Sequence, residues 1–139
     1  FELIAKEVVA SGPDEPRYAE VNCEHLALSW LTFVGAGLGC VIGAYDGDKC
    51  VGFIFGLCSH DPLTGEKYGT AYFWAVMPEY RGNDTAYKLL ACFEHWTSEQ
   101  GGVAVNVGVI ESPKAKALIR AHRRKGYRQM THGLTKRLD

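Results

Sequence analysis

Residues 72–96 read YFWAVMPEYRGNDTAYKLLACFEHW, and the interpretation of the whole chain starts from this stretch. Its first part is apolar and aromatic, as expected for a central strand, and Pro78 ends that strand because proline cannot donate to a sheet ladder. From Ala86 onward apolar residues recur at helical spacing, which predicts an amphipathic helix over Thr85–Glu99. The short turn between strand and helix presents backbone N–H groups and the positive end of a helix dipole. Such a turn suits a phosphate.

The length and charge of the chain indicate one ordinary globular domain over residues 1–139. Charged residues make up 22% of the chain, which argues against disorder. The net charge of −1 gives no reason to expect nonspecific binding to nucleic acid, although residues 113–139 carry nine Lys or Arg and one acid. We expect most of these basic residues to form a solvated helix face. The alternative is a basic patch for an anionic ligand.

The five cysteines form no CxxC pair and no Cys/His ligand cluster, so the sequence predicts no metal site. Their odd number and wide spacing are typical of reduced thiols in a cytoplasmic protein. No apolar run is long enough to span a bilayer, and a membrane is therefore not an expected partner.

Around the central stretch, hydrophobic periodicity predicts an alternation of helices and strands. The predicted elements are a helix over 17–35, strands over 40–45 and 49–59 joined by an Asp-Gly turn, a central strand over 68–77, the helix already described, a buried strand over 103–110, a helix over 114–124 and a last strand over 127–138. Residues 1–9 are ambiguous between strand and helix. Helices that separate the later strands favour an α/β sheet with layers on both faces.

The segment 76–90 resembles the acyl-CoA-binding motif of the GNAT acyltransferase superfamily. That motif is Arg/Gln-x-x-Gly-x-Gly/Ala, preceded by Val-x-Pro-x-Tyr, and here Arg81 matches its first position and Ala86 its last. Gly82 is common at the second position, whereas Asp84 stands where the family has its central glycine. The resemblance implies a GNAT-like (acyl-CoA N-acyltransferase) α/β fold, whose mixed central sheet splays between strands 4 and 5 and is flanked by helices. Many members have two strands after the last helix, whereas only about a dozen residues follow it here, so the resemblance implies a sheet that is either abridged or completed by a partner, which leaves a homodimer open. The compact length and short C-terminal part are also similar to those of small phage-encoded members.

The resemblance further implies that acetyl-CoA is the acyl donor. In the family the CoA diphosphate rests on backbone amides of the turn, and the pantetheine arm runs along the edge of the preceding strand. The corresponding residues here are Ala75 and Val76 on the strand, and Arg81, Gly82, Asn83, Asp84, Thr85 and Ala86 in the turn. Asp84 is expected either to cap the helix, with Asn83 as the other candidate, or to point into water and leave the amides available.

His122 stands where many family members carry a tyrosine that protonates the leaving thiolate, four residues before a Gly-Phe pair that is Gly126-Tyr127 here. A histidine can donate a proton near neutral pH, so the resemblance implies the same role for His122. The alternative is a surface histidine within a basic helix.

The general base of many members is a glutamate on the central strand, and residues 72–77 contain no acid. The acidic or basic residues on loops and strand ends that border the predicted cleft are Glu66, Asp61, His60 and Glu111. Glu66 is the predicted catalytic residue among them, and the alternative for each is an ordinary surface charge. Asn106 lies within an apolar strand and needs a partner if buried. It is expected either to bond the substrate at the splay or to cap a neighbour.

Three functions are therefore compatible with the sequence. The prediction is an acyl-CoA-dependent N-acyltransferase that moves an acetyl group from acetyl-CoA to an amine acceptor. The second is a catalytically degenerate GNAT-fold protein that binds or inhibits. The third is an acyltransferase that acts with tRNA, for which the basic residues 120–128 are the only support.

Overall fold

A computed structural model describes residues 22–109 and 114–130 of the chain. In these two segments the elements are helix α1 (Cys23–Gly35), strands β1 (Gly39–Asp46), β2 (Lys49–His60) and β3 (Lys67–Val76), a short 3-10 helix (Pro78–Tyr80), helix α2 (Thr85–Glu99), strand β4 (Gly102–Val107) and helix α3 (Ala115–Arg124). The predicted helix over Thr85–Glu99 is confirmed at both ends. No helix in these segments has both the length and the apolar character that a bilayer span requires.

The four described strands form one mixed sheet in the order β1-β2-β3-β4. The β1–β2 and β2–β3 pairs are antiparallel. The Asp-Gly turn that joins β1 to β2 has Gly47 at φ of +57°. Strands β3 and β4 are parallel, which requires the α2 crossover between them. The predicted α/β class, with a mixed sheet flanked by helices, is confirmed.

The parallel pairing of β3 with β4 ends before β3 itself does. It runs from Lys67 opposite Gly102 to Ala71 opposite Val107, whereas β3 continues to Val76 paired with β2. In the described part of the chain, β3 therefore has no strand partner on its β4 side beyond Ala71. The predicted splay between strands 4 and 5 stays a prediction, and the end of this pairing is where it would begin.

Backbone direction decides which groups of β3 face that side. The Met77 N–H donates to the Val51 carbonyl across the β2–β3 pair, at 2.9 Å. Because N–H and C=O groups alternate in direction along a strand, those of Trp74 and Val76 point away from β2. We call this side of Trp74 and Val76 the open edge of β3.

Helix α1 covers one face of the sheet through an aromatic cluster around Trp30. This side chain is 4% exposed, and its ring stacks on that of Phe55 with centroids 4.5 Å apart. Phe53 and Phe73 complete the cluster at centroid distances of 5.3 and 5.7 Å from Trp30. Packing of these rings thus holds α1 against this face of the sheet.

Helix α2 covers the opposite face and buries Leu89, Leu90 and Phe93 against Ile54 and Val76. The helix comes close to the sheet because strand glycines leave room for it. A Cβ atom on Gly56 would collide with the Phe93 ring, and one on Gly69 would collide with Thr97. These contacts fix the position of α2, and with it the turn that precedes the helix.

Three predicted elements differ from the structure. Helix α1 begins at Cys23, where the Asn22 side chain accepts from the His25 N–H at 2.9 Å, and residues 17–21 lie outside the described residues. Strand β4 was predicted to be buried, and this is wrong: Val103 is 59% exposed because β4 is the last strand of the described sheet. Residues 127–130 are not in a strand, and the rest of the predicted last strand lies outside the described residues, as do residues 1–9.

Candidate active site

The turn between β3 and α2 is built by local hydrogen bonds and one glycine. Pro78 ends the strand and opens the 3-10 helix, in which the Tyr80 N–H donates to the Met77 carbonyl at 2.9 Å. Gly82 follows with φ of +86°, a conformation that residues with a Cβ rarely adopt. Nothing lies within 4 Å of the place where its Cβ would be, so the turn is open on this side.

The backbone N–H groups of this turn are largely available to a ligand. Thr85 is the exception, because its N–H donates to the Asn83 side-chain oxygen at 2.9 Å. Among the described residues no acceptor is found for the N–H groups of Gly82, Asn83, Asp84 and Ala86. Together with the α2 dipole, these groups form an electropositive surface that suits a phosphate.

Asp84 occupies the N-cap position of α2, but its side chain makes no capping hydrogen bond and is exposed. Of the two alternatives predicted for Asp84, the structure therefore has the one in which the carboxylate points into water. Asn83 supplies the side-chain bond to the helix start instead. The turn accommodates the unusual acid without losing further amides.

Arg81 ties the turn back to the strand. Its Nε donates to the Val76 carbonyl at 2.8 Å, on the open edge of β3. Of the two predicted strand residues, Val76 faces the open edge, whereas the backbone polar groups of Ala75 point towards β2. The Val76 N–H is left as a backbone donor beside the turn.

Exposed polar contacts hold the 3-10 helix against the β1–β2 hairpin. Lys49 Nζ lies 3.2 Å from Glu79 Oε1 and 5.4 Å from the centroid of the Tyr80 ring. The Tyr80 hydroxyl donates to Asp46 at 2.8 Å. Each contact is weak at the surface, but together they restrain the residues that lead into the turn.

His122 is buried, which excludes the alternative of a surface histidine in a basic helix. Its side chain is 6% exposed, and its Nδ1 lies 2.8 Å from the Leu118 carbonyl oxygen. Because a carbonyl can only accept, Nδ1 carries a proton, and in the neutral ring Nε2 has a bare lone pair. Among the described residues Nε2 has no hydrogen-bond partner, although the atom is buried.

Three aromatic side chains surround the His122 ring. The Trp74 ring meets it edge to face at 5.4 Å between centroids, Tyr127 does so at 5.6 Å, and Tyr87 lies at 6.1 Å. Tyr87 is in the first turn of α2 and also carries Lys125 Nζ 5.2 Å from its ring centroid. The cluster thus links α3, the open edge of β3 and the start of α2.

Tyr127 is anchored in this cluster by its hydroxyl, which donates to Glu94 on α2 at 2.5 Å. Burial, followed by this bond and the Glu94 charge, raises the pKa of the Tyr127 phenol well above its usual range. The phenol therefore stays protonated through the physiological range and acts as a structural donor.

Glu66 lies at the opposite end of β3 from the turn. From Glu66 to Val76 the strand spans about 30 Å at its usual rise per residue. The Glu66 side chain is exposed and accepts from the Tyr68 hydroxyl at 3.1 Å. The structure does not bring Glu66 together with His122 or the turn.

Asn106 lies where the pairing of β3 with β4 ends. It is opposite Thr70, one position before the last pair of Ala71 and Val107. Val105 and Val107 pack into the core under α2, so alternation puts Asn106 on the α1 side of the sheet. Its side chain is exposed and is thus on the other face from His122.

The thiols of Cys40 and Cys58 are not activated. Burial raises the pKa of the Cys40 thiol to about 12, and nearby Cys58 adds to the rise. Burial likewise raises the pKa of Cys58. Both groups remain protonated at neutral pH and are poor nucleophiles.

A family model shows where the chain belongs. The model of the Acetyltransferase (GNAT) family matches residues 7–127, and the chain is a member of this family. A sequence comparison with curated proteins gave no significant match. Family membership supports acyl transfer from acetyl-CoA as the general chemistry of the fold.

Solved structures support the fold at low sequence identity. An aminoglycoside acetyltransferase from an uncultured soil metagenomic sample is 13% identical, with a TM-score of 0.76 over 99% of this chain and 90% of that chain. The ribosomal-protein-alanine N-acetyltransferase of Brucella melitensis biovar Abortus 2308 is 15% identical, with a TM-score of 0.72 over 99% and 89%. AAC(6')-Iy, in complex with the bisubstrate analog CoA-S-monomethyl-acetylneamine, is 19% identical, with a TM-score of 0.69 over 94% and 86%.

Proposed function

We propose that this chain transfers an acetyl group from acetyl-CoA to an amine acceptor. One observation carries the proposal: an open turn with available amides adjoins a strand edge that lacks a strand partner among the described residues. A diphosphate on the turn and an extended amide arm along the edge match the two ends of CoA. The similarity to a structure that holds a CoA bisubstrate analog supports the same assignment.

In this proposal the diphosphate accepts from the N–H groups of Gly82, Asn83, Asp84 and Ala86. Thr85 and Arg81 keep the turn in shape, since the Thr85 N–H and the Arg81 Nε are already bonded within the chain. The arm pairs with the open edge at the backbone groups of Trp74, because the Val76 carbonyl is bonded to Arg81. Ala75 adjoins this position, with its own polar groups directed towards β2. The Val76 N–H is the backbone donor proposed for the oxyanion that forms on the thioester carbonyl.

The acceptor amine attacks the thioester carbonyl, the C–S bond breaks, and one proton must move from the nitrogen to the leaving thiolate. We assign this transfer to His122. Its bare Nε2 can accept the proton from the amine and pass it to the sulfur, while the Leu118 carbonyl keeps Nδ1 protonated and the ring oriented. The acceptor starts as an ammonium ion, and the second proton that it loses goes to solvent.

Asn106 fits a different part of the same proposal. It is exposed at the end of the β3–β4 pairing, on the face opposite His122, where an amide side chain can orient an incoming amine. Glu66 remains a candidate base only through intervening water or a long acceptor, because it lies at the far end of β3. The basic residues of α3 favour a solvated face over a tRNA site, since Lys125 contacts Tyr87 and Arg123 donates to Gln129 at 3.1 Å.

Binding and turnover are tested separately. Titration calorimetry and thermal shift with acetyl-CoA measure binding, and release of free CoA thiol measures turnover. The acceptor panel follows the neighbouring structures: aminoglycosides, a peptide with an N-terminal alanine and glucosamine 6-phosphate. The proposal expects binding and turnover with at least one amine. If millimolar acetyl-CoA causes no thermal shift, the proposed acetyl transfer is refuted. Binding without turnover on any amine would favour the degenerate binding protein.

The role of His122 is tested by His122→Phe, with His95→Phe as the matched control on the exposed side of α2. Loss of a proton-transfer group lowers turnover by about 100-fold or more, whereas the control leaves it unchanged. Equal turnover in both variants would remove His122 from the mechanism.

A further inference from the structure

The two faces of the sheet differ at the open edge of β3. On the α2 face the Trp74 ring packs edge to face against His122. On the α1 face lies Tyr72, the extra residue of a β-bulge, because the β2 register shifts between Phe55 and Gly56. Bulges redirect side chains and are frequent next to active sites. Tyr72 is 56% exposed although β3 is an inner strand of the described sheet, so its side chain is accessible from the α1 face.

Tyr72 continues the row of aromatic rings under α1. Its ring centroid lies 6.4 Å from that of Phe55, which stacks on Trp30. Phe55 and Trp30 are both buried. Tyr72 is thus the exposed end of an aromatic row whose other members are in the core.

One flank of α1 faces the same part of β3. Phe33 lies on the flank towards β1, since a Cβ on Gly39 would lie 3.2 Å from the Phe33 Cβ. Because β1 and β3 are on opposite sides of β2, the flank turned away from Phe33 faces β3. Leu31 and Val34 lie on that flank, at helical spacing with Ala27, and are 70% and 41% exposed. The approach to the open edge from the α1 face is therefore bordered by apolar side chains.

The elements around this approach carry no charge. Residues 25–45, 68–78 and 102–107 contain no Lys, Arg, Asp or Glu. A substrate with several positive charges needs carboxylates to replace its water, because a charge that is taken out of water requires a partner. An apolar substituent has the opposite requirement and gains free energy when it is buried against apolar side chains.

We propose that the acceptor is a primary amine with an aromatic or other apolar substituent, which packs between Leu31 of α1 and the Tyr72 ring. This assignment rests on the proposed function, because the amine must reach a thioester at the open edge. An aromatic substituent fits best, since a second ring beside Tyr72 adds a specific contact to the gain from burial.

The test measures thiol release at saturating acetyl-CoA with phenethylamine, ethylamine and an aminoglycoside. We expect kcat/KM for phenethylamine to exceed that for ethylamine by about 100-fold, because each added apolar group that enters such a site contributes a factor of about ten or more. Leu31→Ala should lower the phenethylamine-to-ethylamine ratio about tenfold, and Tyr72→Ala should do the same. The matched controls are Leu38→Ala, 48% exposed just before β1, and Tyr45→Ala, 68% exposed on β1; both should leave the ratio unchanged.

Each outcome decides the question. A ratio that falls in Leu31→Ala and Tyr72→Ala but not in the controls supports the apolar acceptor. A preference for the aminoglycoside or for ethylamine overturns it and leaves the proposed acetyl transfer intact, whereas no thiol release with any amine refutes both. An equal fall in test and control variants overturns it, because the effect is then on the fold.

Other occupants of this flank are detected in the same variants. If Leu31→Ala changes the sedimentation coefficient or the melting temperature but not the ratio, a second copy of the chain or residues 1–21 cover Leu31, and the proposal is overturned. An unchanged ratio without either effect overturns it as well.

Discussion

Phe73 and Trp74 are neighbours on β3, yet they enter two clusters of different character. Phe73 faces α1 and joins the rings around Trp30, whose cluster is closed by apolar contact. Trp74 faces α2 and α3 and meets His122, where two polar atoms are buried without partners among the described residues. Both clusters are aromatic, but of the two only the one around His122 contains buried polar atoms without hydrogen-bond partners among the described residues.

This difference separates what holds the fold from what acts on a ligand. Packing of large rings stabilises without demanding any partner outside the chain. Buried donors and acceptors without partners destabilise the isolated protein, and they persist where a ligand or water completes them. We therefore expect changes in the Trp30 cluster to alter stability, and changes near the turn and His122 to alter binding and catalysis.

The largest effect is expected for Trp30→Ala. Removing a side chain that is 4% exposed should lower the free energy of unfolding by about 3–5 kcal/mol, because the cavity cannot close around the remaining rings. Urea unfolding followed by circular dichroism measures the change. A loss below about 1 kcal/mol would show that the Trp30 cluster does not hold α1 on this face of the sheet. The contrast between a stabilising Trp30 cluster and a functional His122 cluster would then be wrong.

A smaller effect, and one on binding, is expected for Gly82→Val. The residue has φ of +86°, and a side chain with a Cβ adds about 1–2 kcal/mol of strain in this region while it fills the open side of the turn. CoA affinity should fall about tenfold or more by calorimetry. Gly47→Val, at φ of +57° in the β1–β2 turn, is the matched control: it carries similar strain but should leave CoA affinity unchanged. Equal loss of affinity in both variants would contradict a phosphate site at Gly82.

The strand, turn and helix around Gly82 could be predicted from the sequence because their signals are local. Pro78 ends a ladder, Gly82 permits a positive φ, and apolar spacing defines α2 wherever the rest of the chain lies. The position of Asp84 at the helix start was likewise readable, but the direction of its side chain was not.

His122 shows what local signals miss. Its neighbours in sequence are basic, so the pattern favours solvent, and its burial depends on Trp74 and Tyr87, which are distant along the chain. The exposure of Val103 has the opposite cause, since apolar composition predicts burial and the position of β4 in the sheet overrides it. Trp74, whose ring contacts His122, was not among the predicted site residues, because an aromatic residue in an apolar strand is typical of the core.

A third prediction concerns Tyr127, whose ring contacts His122 and whose hydroxyl donates to Glu94. Burial and Glu94 raise the pKa of this phenol in the folded state above the value of about 10 that a tyrosine has in an unfolded chain. Above pH 10 the unfolded chain loses this proton first, so the unfolded state binds fewer protons and stability falls as the pH rises. The contribution is fully present below pH 10.

Tyr127→Phe should therefore flatten the alkaline loss of stability and cost about 1 kcal/mol at neutral pH from the lost bond to Glu94. Denaturant unfolding at pH 7 and at pH 10–11 measures both effects. Tyr45→Phe is the control, because Tyr45 is 68% exposed and lies on β1, away from the His122 cluster. The same alkaline slope in the wild-type protein and in Tyr127→Phe would contradict the assigned role.

The smallest effect is expected for Asp84→Asn, and it tests whether the turn tolerates its acid or is weakened by it. The carboxylate is exposed and caps nothing, so its removal should lower the free energy of unfolding only by its attraction to the α2 dipole, about 0.3–1 kcal/mol. Near a bound diphosphate the charge is repulsive, by about 0.5–1 kcal/mol for charges several Å apart in water, which corresponds to a CoA affinity about twofold to fivefold tighter in the variant. Because exposed charges are screened, the gain should shrink when the calorimetry is repeated at high salt. A loss of affinity in Asp84→Asn would mean that the carboxylate orders the turn after all, and a salt-independent gain would mean that its effect is steric.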